Sequence, residues 1–175
     1  TELGDNEAAS NHLERAYTIT VGTLPESDVM TEVLRRMAQL DLNREQFDQS
    51  KAYALRCIHL SRKIGDRYEL GAATRVLGEV YAATGDVKRA KACFAAAVRG
   101  LKSIHECYEL MRTLYAQGKF LAQHGKRDEA EISLLEARQL AKKLELDYYQ
   151  ALIAVALVDA LTPQERFSEA STWLT

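Results

Sequence analysis

Two stretches of this chain can be written one beneath the other. Tyr68-Glu69-Leu70 through Cys107 sits over Tyr108-Glu109-Leu110 through Asp147, a constant displacement of 40 residues. Gly78 falls over Gly118, Gly85 over Gly125, Ala90 over Ala130, Phe94 over Leu134 and Ala97 over Ala137. A fixed displacement means a repeated structural unit that cannot bury its apolar face alone and needs a neighbour on each side. This constrains the fold more than any composition does.

Each unit reads as two helices. Leu70, Ala73, Leu77, Val80 and Tyr81 share a stripe, and Val87, Ala90, Phe94, Ala97, Val98, Leu101 and Ile104 share the next, both at helical spacing. Gly65-Asp66 and Gly85-Asp86 punctuate them: glycine takes the left-handed backbone that ends one helix, and aspartate accepts the orphan N–H groups that begin another. The small residues have a packing reason. Antiparallel helices approach closely only where small side chains meet, so Gly78 and Gly118 on first helices, with Ala90 and Ala130 on second helices, mark the crossings.

Carried outward, the register fills the chain. The spacing predicts an opening half repeat over 1–22, with Gly4, Ala9, Leu13 and Ala16 at second-helix positions and Asp5 as a cap. Gly22 to Ser27 is expected as a loop containing Pro25. Repeats follow at about 27–64, 66–104 and 106–144, then a partial repeat over 147–175 that begins near Tyr148, turns at Thr162-Pro163 and carries Phe167, Ala170 and Leu174. The 27–64 repeat is degenerate: Glu45 stands in the place of the turn glycine and Ser50 in the place of the alanine. The expected fold is all-α, a right-handed superhelical solenoid of antiparallel helix pairs with about nine helices and no strand. The chain starts at Thr1 and ends apolar, and is expected to be an excerpt of a larger protein.

This pattern resembles the tetratricopeptide repeat. The resemblance rests on Gly78 and Gly118, Tyr81 and Leu121, the turn glycines Gly85 and Gly125, and Ala90, Phe94 and Ala97 repeated as Ala130, Leu134 and Ala137. The usual unit is ~34 residues, so this one is the longer variety. Forty-residue versions look like those of large bacterial signalling and transcriptional regulators, and the Ile64-Gly65-Asp66-Arg67-Tyr68-Glu69-Leu70 junction is most similar to that group. Peptide-pheromone-sensing regulators and eukaryotic polarity adaptors also use long repeats. The adaptors have asparagine-rich first helices, whereas Arg75 to Thr84 contains no asparagine.

The resemblance implies a non-catalytic protein–protein interaction module, the sensor or regulatory part of a larger bacterial regulator, with a concave groove lined by first helices. Positions off the packing stripe form ladders there: Arg35, Arg75, Tyr115 and Val155 on one, Gln39, Glu79, Lys119 and Asp159 on another, flanked by Arg36, Arg112 and Gln123. Arginine and tyrosine are common interface anchors. The cations suit a protein or peptide partner that is acidic or ends in a carboxylate, although solvated charges on an inner face explain the same pattern. Two other readings stand beside it. One is a peptide or small-molecule sensor in which Arg75, Glu79 and Tyr115 converge. The other is a homodimer through end helices bearing Leu13, Tyr17, Phe167, Trp173 and Leu174. The paired lysines and asparagines of a chaperone-tail clamp are absent.

Other chemistry finds no support. A net charge of −2 argues against direct nucleic-acid contact, and no apolar run approaches the ~20 residues that span a membrane. His12, His59, His105 and His124 are scattered and form no metal motif. Gly118-Lys119 lacks the rest of a phosphate loop. No catalytic set, cofactor or metal site is expected. Cys57, Cys93 and Cys107 are read as free thiols in a reducing, cytoplasmic setting.

Overall fold

A computed structural model describes residues 2–161, with side chains from 10 to 160. These hold eight helices and no strand: α1 (Glu2–Thr23), α2 (Asp28–Asn43), α3 (Phe47–Ile64), α4 (Arg67–Ala83), α5 (Val87–Ser103), α6 (Tyr108–Gln123), α7 (Arg127–Lys143) and α8 (Asp147–Leu161). The expected ninth helix, with its Pro163 turn and Phe167, Ala170, Trp173 and Leu174, lies outside the described residues. The chain divides into two compact units, Thr1–Gly100 and Leu101–Thr175.

One turn recurs at six of the seven helix junctions among the described residues, every one from α2 onward. A left-handed residue occurs at Glu45, Gly65, Gly85, His105, Gly125 and Glu145, with φ between 56° and 79°. In each case the next residue's N–H reaches back to a carbonyl five positions earlier: Gln46 to Asp41, Asp66 to Ser61, Asp86 to Tyr81, Glu106 to Leu101, Lys126 to Leu121 and Leu146 to Ala141, all at 2.8–3.2 Å. This is the Schellman closure, which satisfies a helix's last carbonyls. Three of the six sites carry no glycine, and it was at glycines that the sequence announced the turn. Each of the three is exposed, so its side chain meets no packed neighbour, but its own Cβ still crowds the backbone at a cost of about 1–2 kcal/mol.

Helix starts are less uniform. Ser27 Oγ accepts from the Met30 N–H at 3.2 Å, and Asp86 accepts from Arg89 N–H at 3.0 Å. Asp66 accepts from Glu69 N–H at 3.0 Å and also from the Thr31 hydroxyl at 2.9 Å, tying α2 to the start of α4. Asp66→Ala should therefore lower unfolding free energy by ~1–2 kcal/mol, read by urea denaturation; an unchanged midpoint would show the cap to be idle. Two expectations fail here. Asp5 lies inside α1, which already begins at Glu2, and Gly22 lies in its last turn, not in a loop. No proline interrupts the stretch, so the helix extends past both signals until Pro25 stops it.

In the first unit, Met30, Leu34, Ala38, Ala54, Cys57, Ile58, Leu60, Ala73, Val76 and Leu77 form one buried cluster, with Tyr17, Tyr53 and Tyr81 packed against it. The degenerate repeat is explained by its polar partner. Ser50 is fully buried, and its hydroxyl donates to the Ala38 carbonyl at 2.7 Å. Cys57 is buried and donates to the Thr31 carbonyl at 3.2 Å, and burial pushes its thiol up to about 12, which makes it inert. In the second unit Leu114, Leu121, Ala130, Leu134, Ala137, Ile153 and Leu157 are buried between α6, α7 and α8.

The crossings are as close as the small residues suggested. A Cβ built on Gly78 would stand 3.1 Å from the Phe94 ring, and one on Gly118 would stand 2.6 Å from Leu134 Cγ.

Candidate functional site

The residues expected to line a binding face separate into two environments. In the first unit they are largely consumed by the fold. Arg35 on α2 donates through Nε to Glu69 on α4 at 2.5 Å, and their side chains are only 9% and 7% exposed. Arg75 on α4 is buried, and its Nη1 reaches Gln39 Oε1 at 3.0 Å and both oxygens of Glu79 at 2.9 Å. The structure therefore brings Arg75, Glu79 and Gln39 together across adjacent first helices, as a network inside the layer between them. Arg36 stays exposed, held by Glu32 one turn back at 2.7 Å. Burial raises the Glu69 carboxyl above its ordinary value, more than the Arg35 guanidinium lowers it.

That arrangement has a sequence signal. Glu69 and Glu109 occupy the same place in the repeated Tyr-Glu-Leu, and both are buried. A recurrent acid inside an otherwise apolar stripe demands a cation beside it. The same burial means that reversing the charge of Arg75 would disrupt packing before it reported on binding.

The second unit keeps its residues available. Along α6, Tyr108, Arg112, Tyr115, Lys119 and Gln123 follow one another on a single stripe, and Tyr148, Leu152, Val155 and Asp159 do so along α8. Between the stripes lies a cleft of about 240 Å³ lined by Tyr115, Lys119, Ala122, Gln123, Leu152, Val155, Ala156 and Asp159. Four expected site residues meet here: Tyr115, Lys119, Gln123 and Asp159. The Lys119 ammonium lies over the Tyr115 ring at 5.4 Å. Burial raises the Tyr115 phenol above its usual value, and neighbouring Tyr148 and Asp159 add to the shift, which keeps its hydroxyl a neutral donor. Arg112 pairs with buried Glu109 at 2.7 Å and caps the Tyr108 ring at 5.8 Å.

Tyrosines extend this surface beyond the cleft. Tyr108 and Tyr149 meet edge to face at 6.0 Å with their hydroxyls 3.4 Å apart, and Tyr148 meets Tyr149 at 5.7 Å. Tyr148 is 72% exposed and Val155 55%. The sequence marked Tyr68, Tyr108 and Tyr148 only as structural repeats.

A separate cleft of about 430 Å³ in the first unit is lined by Pro25, Met30, Leu34, Leu55, His59 and Leu60, with Lys63 paired to Glu26 at its rim. Of the residues offered for self-association, Tyr17 is half-buried against Tyr53 at 6.1 Å, and Arg56 donates to its hydroxyl at 2.6 Å. Among the described residues no group of histidines, cysteines and carboxylates could hold a metal, and no helix is long and apolar enough to cross a membrane. The three cysteines are free.

Antiparallel helix pairs with small residues at each crossing define a helical-repeat protein. The family model for the tetratricopeptide repeat matches residues 76–99, the span holding Gly78, Gly85, Ala90, Phe94 and Ala97. The fold agrees. The crystal structure of BtubC (BKLC) from P. vanneervenii is similar with a TM-score of 0.75 at 14% identity, over 98% of this chain and 71% of that one. Two crystal structures of a Podosopora anserina putative kinesin light chain with nearly identical TPR-like repeats are similar with TM-scores of 0.71 and 0.69, each at 17% identity over 99% of this chain and 85% of that one. No curated protein matches significantly by sequence. Tetratricopeptide repeats are protein-interaction or scaffold units.

Proposed function

We propose that this chain is a non-catalytic protein-interaction module, the regulatory or sensor part of a larger bacterial signalling or transcriptional regulator, and that it grips an extended segment of its partner on the α6–α8 face. The observation that carries the reading is the cleft where Tyr115, Lys119, Gln123, Val155 and Asp159 converge. Its apolar floor and few placed polar groups are what a recognition site needs. The bacterial-regulator setting is supported by the Ile64 to Leu70 junction, and a cytoplasmic location by three free thiols.

The partner need not be strongly acidic. Arg35 and Arg75 are engaged by carboxylates of the chain itself, which leaves Lys119 as the exposed cation at the cleft. Selection of a random peptide library on the immobilised chain tests the reading. Selected peptides should shift the amide resonances of Tyr115, Lys119 and Val155, and the Tyr115→Ala/Lys119→Glu double variant should lose capture by about tenfold or more with its helix content unchanged. Capture indifferent to both substitutions would place the binding face elsewhere.

A further inference from the structure

The α6–α8 surface is aromatic, rich in donors and balanced in charge, and those three properties select a particular kind of segment. Four tyrosines, at 108, 115, 148 and 149, face or flank it, two of them exposed. Exposed aromatic rings beside an apolar cleft mark a contact surface. The edge-to-face pairs Tyr108–Tyr149 and Tyr148–Tyr149 leave ring faces turned at steep angles to one another, so they offer slots instead of a flat wall. At the other end Lys119 and Asp159, opposite in sign, both line the cleft, and Arg112 is already answered by Glu109. The face thus offers no net charge to a ligand.

We propose that this face binds a proline-containing segment of low charge in the extended polyproline conformation. The inference rests on the reading above, that the partner is held on α6–α8. A polyproline segment has no internal hydrogen bonds, and its carbonyls need outside donors while its prolines have no N–H to offer. Tyrosine hydroxyls, the Gln123 amide and the Lys119 ammonium are such donors, and proline rings pack flat against aromatic faces. Aromatic-lined grooves recognise this conformation because it is already rigid and loses little entropy on binding. The twelve residues from Tyr148 to Asp159 run about 16 Å along α8, eleven steps of about 1.5 Å, the length of about five polyproline residues. An amphipathic helix is a poorer fit: it would need a groove wide enough for two turns of apolar side chains, whereas this cleft holds about 240 Å³.

The test is titration of the whole chain with an oligoproline peptide, followed by amide resonances, beside a glycine–serine peptide of equal length. Saturable shifts at Tyr115, Tyr148 and Val155 with oligoproline alone are expected. Tyr148→Ala should weaken binding about tenfold, and Tyr148→Phe should retain most of it. Tyr148 is exposed, so circular dichroism should match the parent. No saturable shift with oligoproline, or an equal response to both peptides, would overturn the proposal. If a library-selected ligand still occupies the cleft and oligoproline does not displace it, the proline assignment falls and the binding face stands. If neither oligoproline nor any library-selected ligand reaches the cleft, both fall together.

Discussion

Arg35→Met lowers the unfolding free energy by about 3–5 kcal/mol. The substitution keeps the length and apolar stem of the side chain and removes only the guanidinium that lies 2.5 Å from Glu69. What remains is a carboxylate, 7% exposed, without its cross-helix partner, and stranding one member of a buried pair is far costlier than deleting both. The loss should depend on pH in a stated direction. Burial already holds the Glu69 carboxyl above its ordinary 4.5, and removing Arg35 takes away the influence that lowered it. A carboxyl raised in the folded state favours folding in its protonated form. Its contribution is complete below the unfolded value and disappears as pH rises through the folded one. The variant should therefore be weakest near neutrality and recover as pH falls toward 4.5. Arg35→Met/Glu69→Leu should restore most of the stability and flatten the pH profile. Chemical denaturation at several pH values measures both, and a single variant as stable as the parent at pH 7 would show that the pair contributes nothing.

Gly118→Leu has the second large effect, localised to the other unit. A Cβ alone at this position would stand 2.6 Å from Leu134 Cγ and 2.8 Å from its Cδ2, with the Ala130 carbonyl 3.3 Å away. Leu134 is fully buried, so it has nowhere to rotate. Overpacking typically costs ~1–3 kcal/mol, and a whole isobutyl group forced into the α6–α7 crossing falls at or above the top of that range. The gain of about 1 kcal/mol in helix propensity on replacing glycine does not offset it. Combining Gly118→Leu with Leu134→Ala moves the bulk from one helix to the other and should recover part of the loss, a non-additivity that identifies the contact. Thermal melts of the three variants decide it. Equal and additive losses would mean that the two side chains do not share space.

Much of the architecture was written in the periodicity, because helix packing at a crossing tolerates only small residues and the chain repeats them every 40 positions. Helix ends were legible where glycine or aspartate marked them, and at Glu45, His105 and Glu145 only through the register, since none of these residue types signals the left-handed backbone it adopts. Site residues were legible as positions on a face but not as free or engaged. Arg35 and Arg75 occupy the ladder that also carries Tyr115, yet whether an arginine is offered to solvent depends on which carboxylate the neighbouring helix presents. Glu69 and Glu79 decide that, and they lie far away in sequence or one turn along. Tyr115 was placed on the groove from sequence, but Tyr108 and Tyr148 beside it were read only as parts of the repeat, because exposure is a property of packing that periodicity does not report.

The Schellman turns recur every twenty residues, whereas the glycine and alanine contacts recur every forty. The hinge chemistry is therefore blind to which kind of helix it joins, and only the interior side chains carry that distinction. Excising one hairpin between matching turns rejoins like to like. Excising a lone helix reconnects the backbone just as smoothly but sets two glycine-bearing faces, or two alanine-bearing ones, against each other. In such a design, length variation during descent is channelled into whole hairpins, gained or lost as a unit.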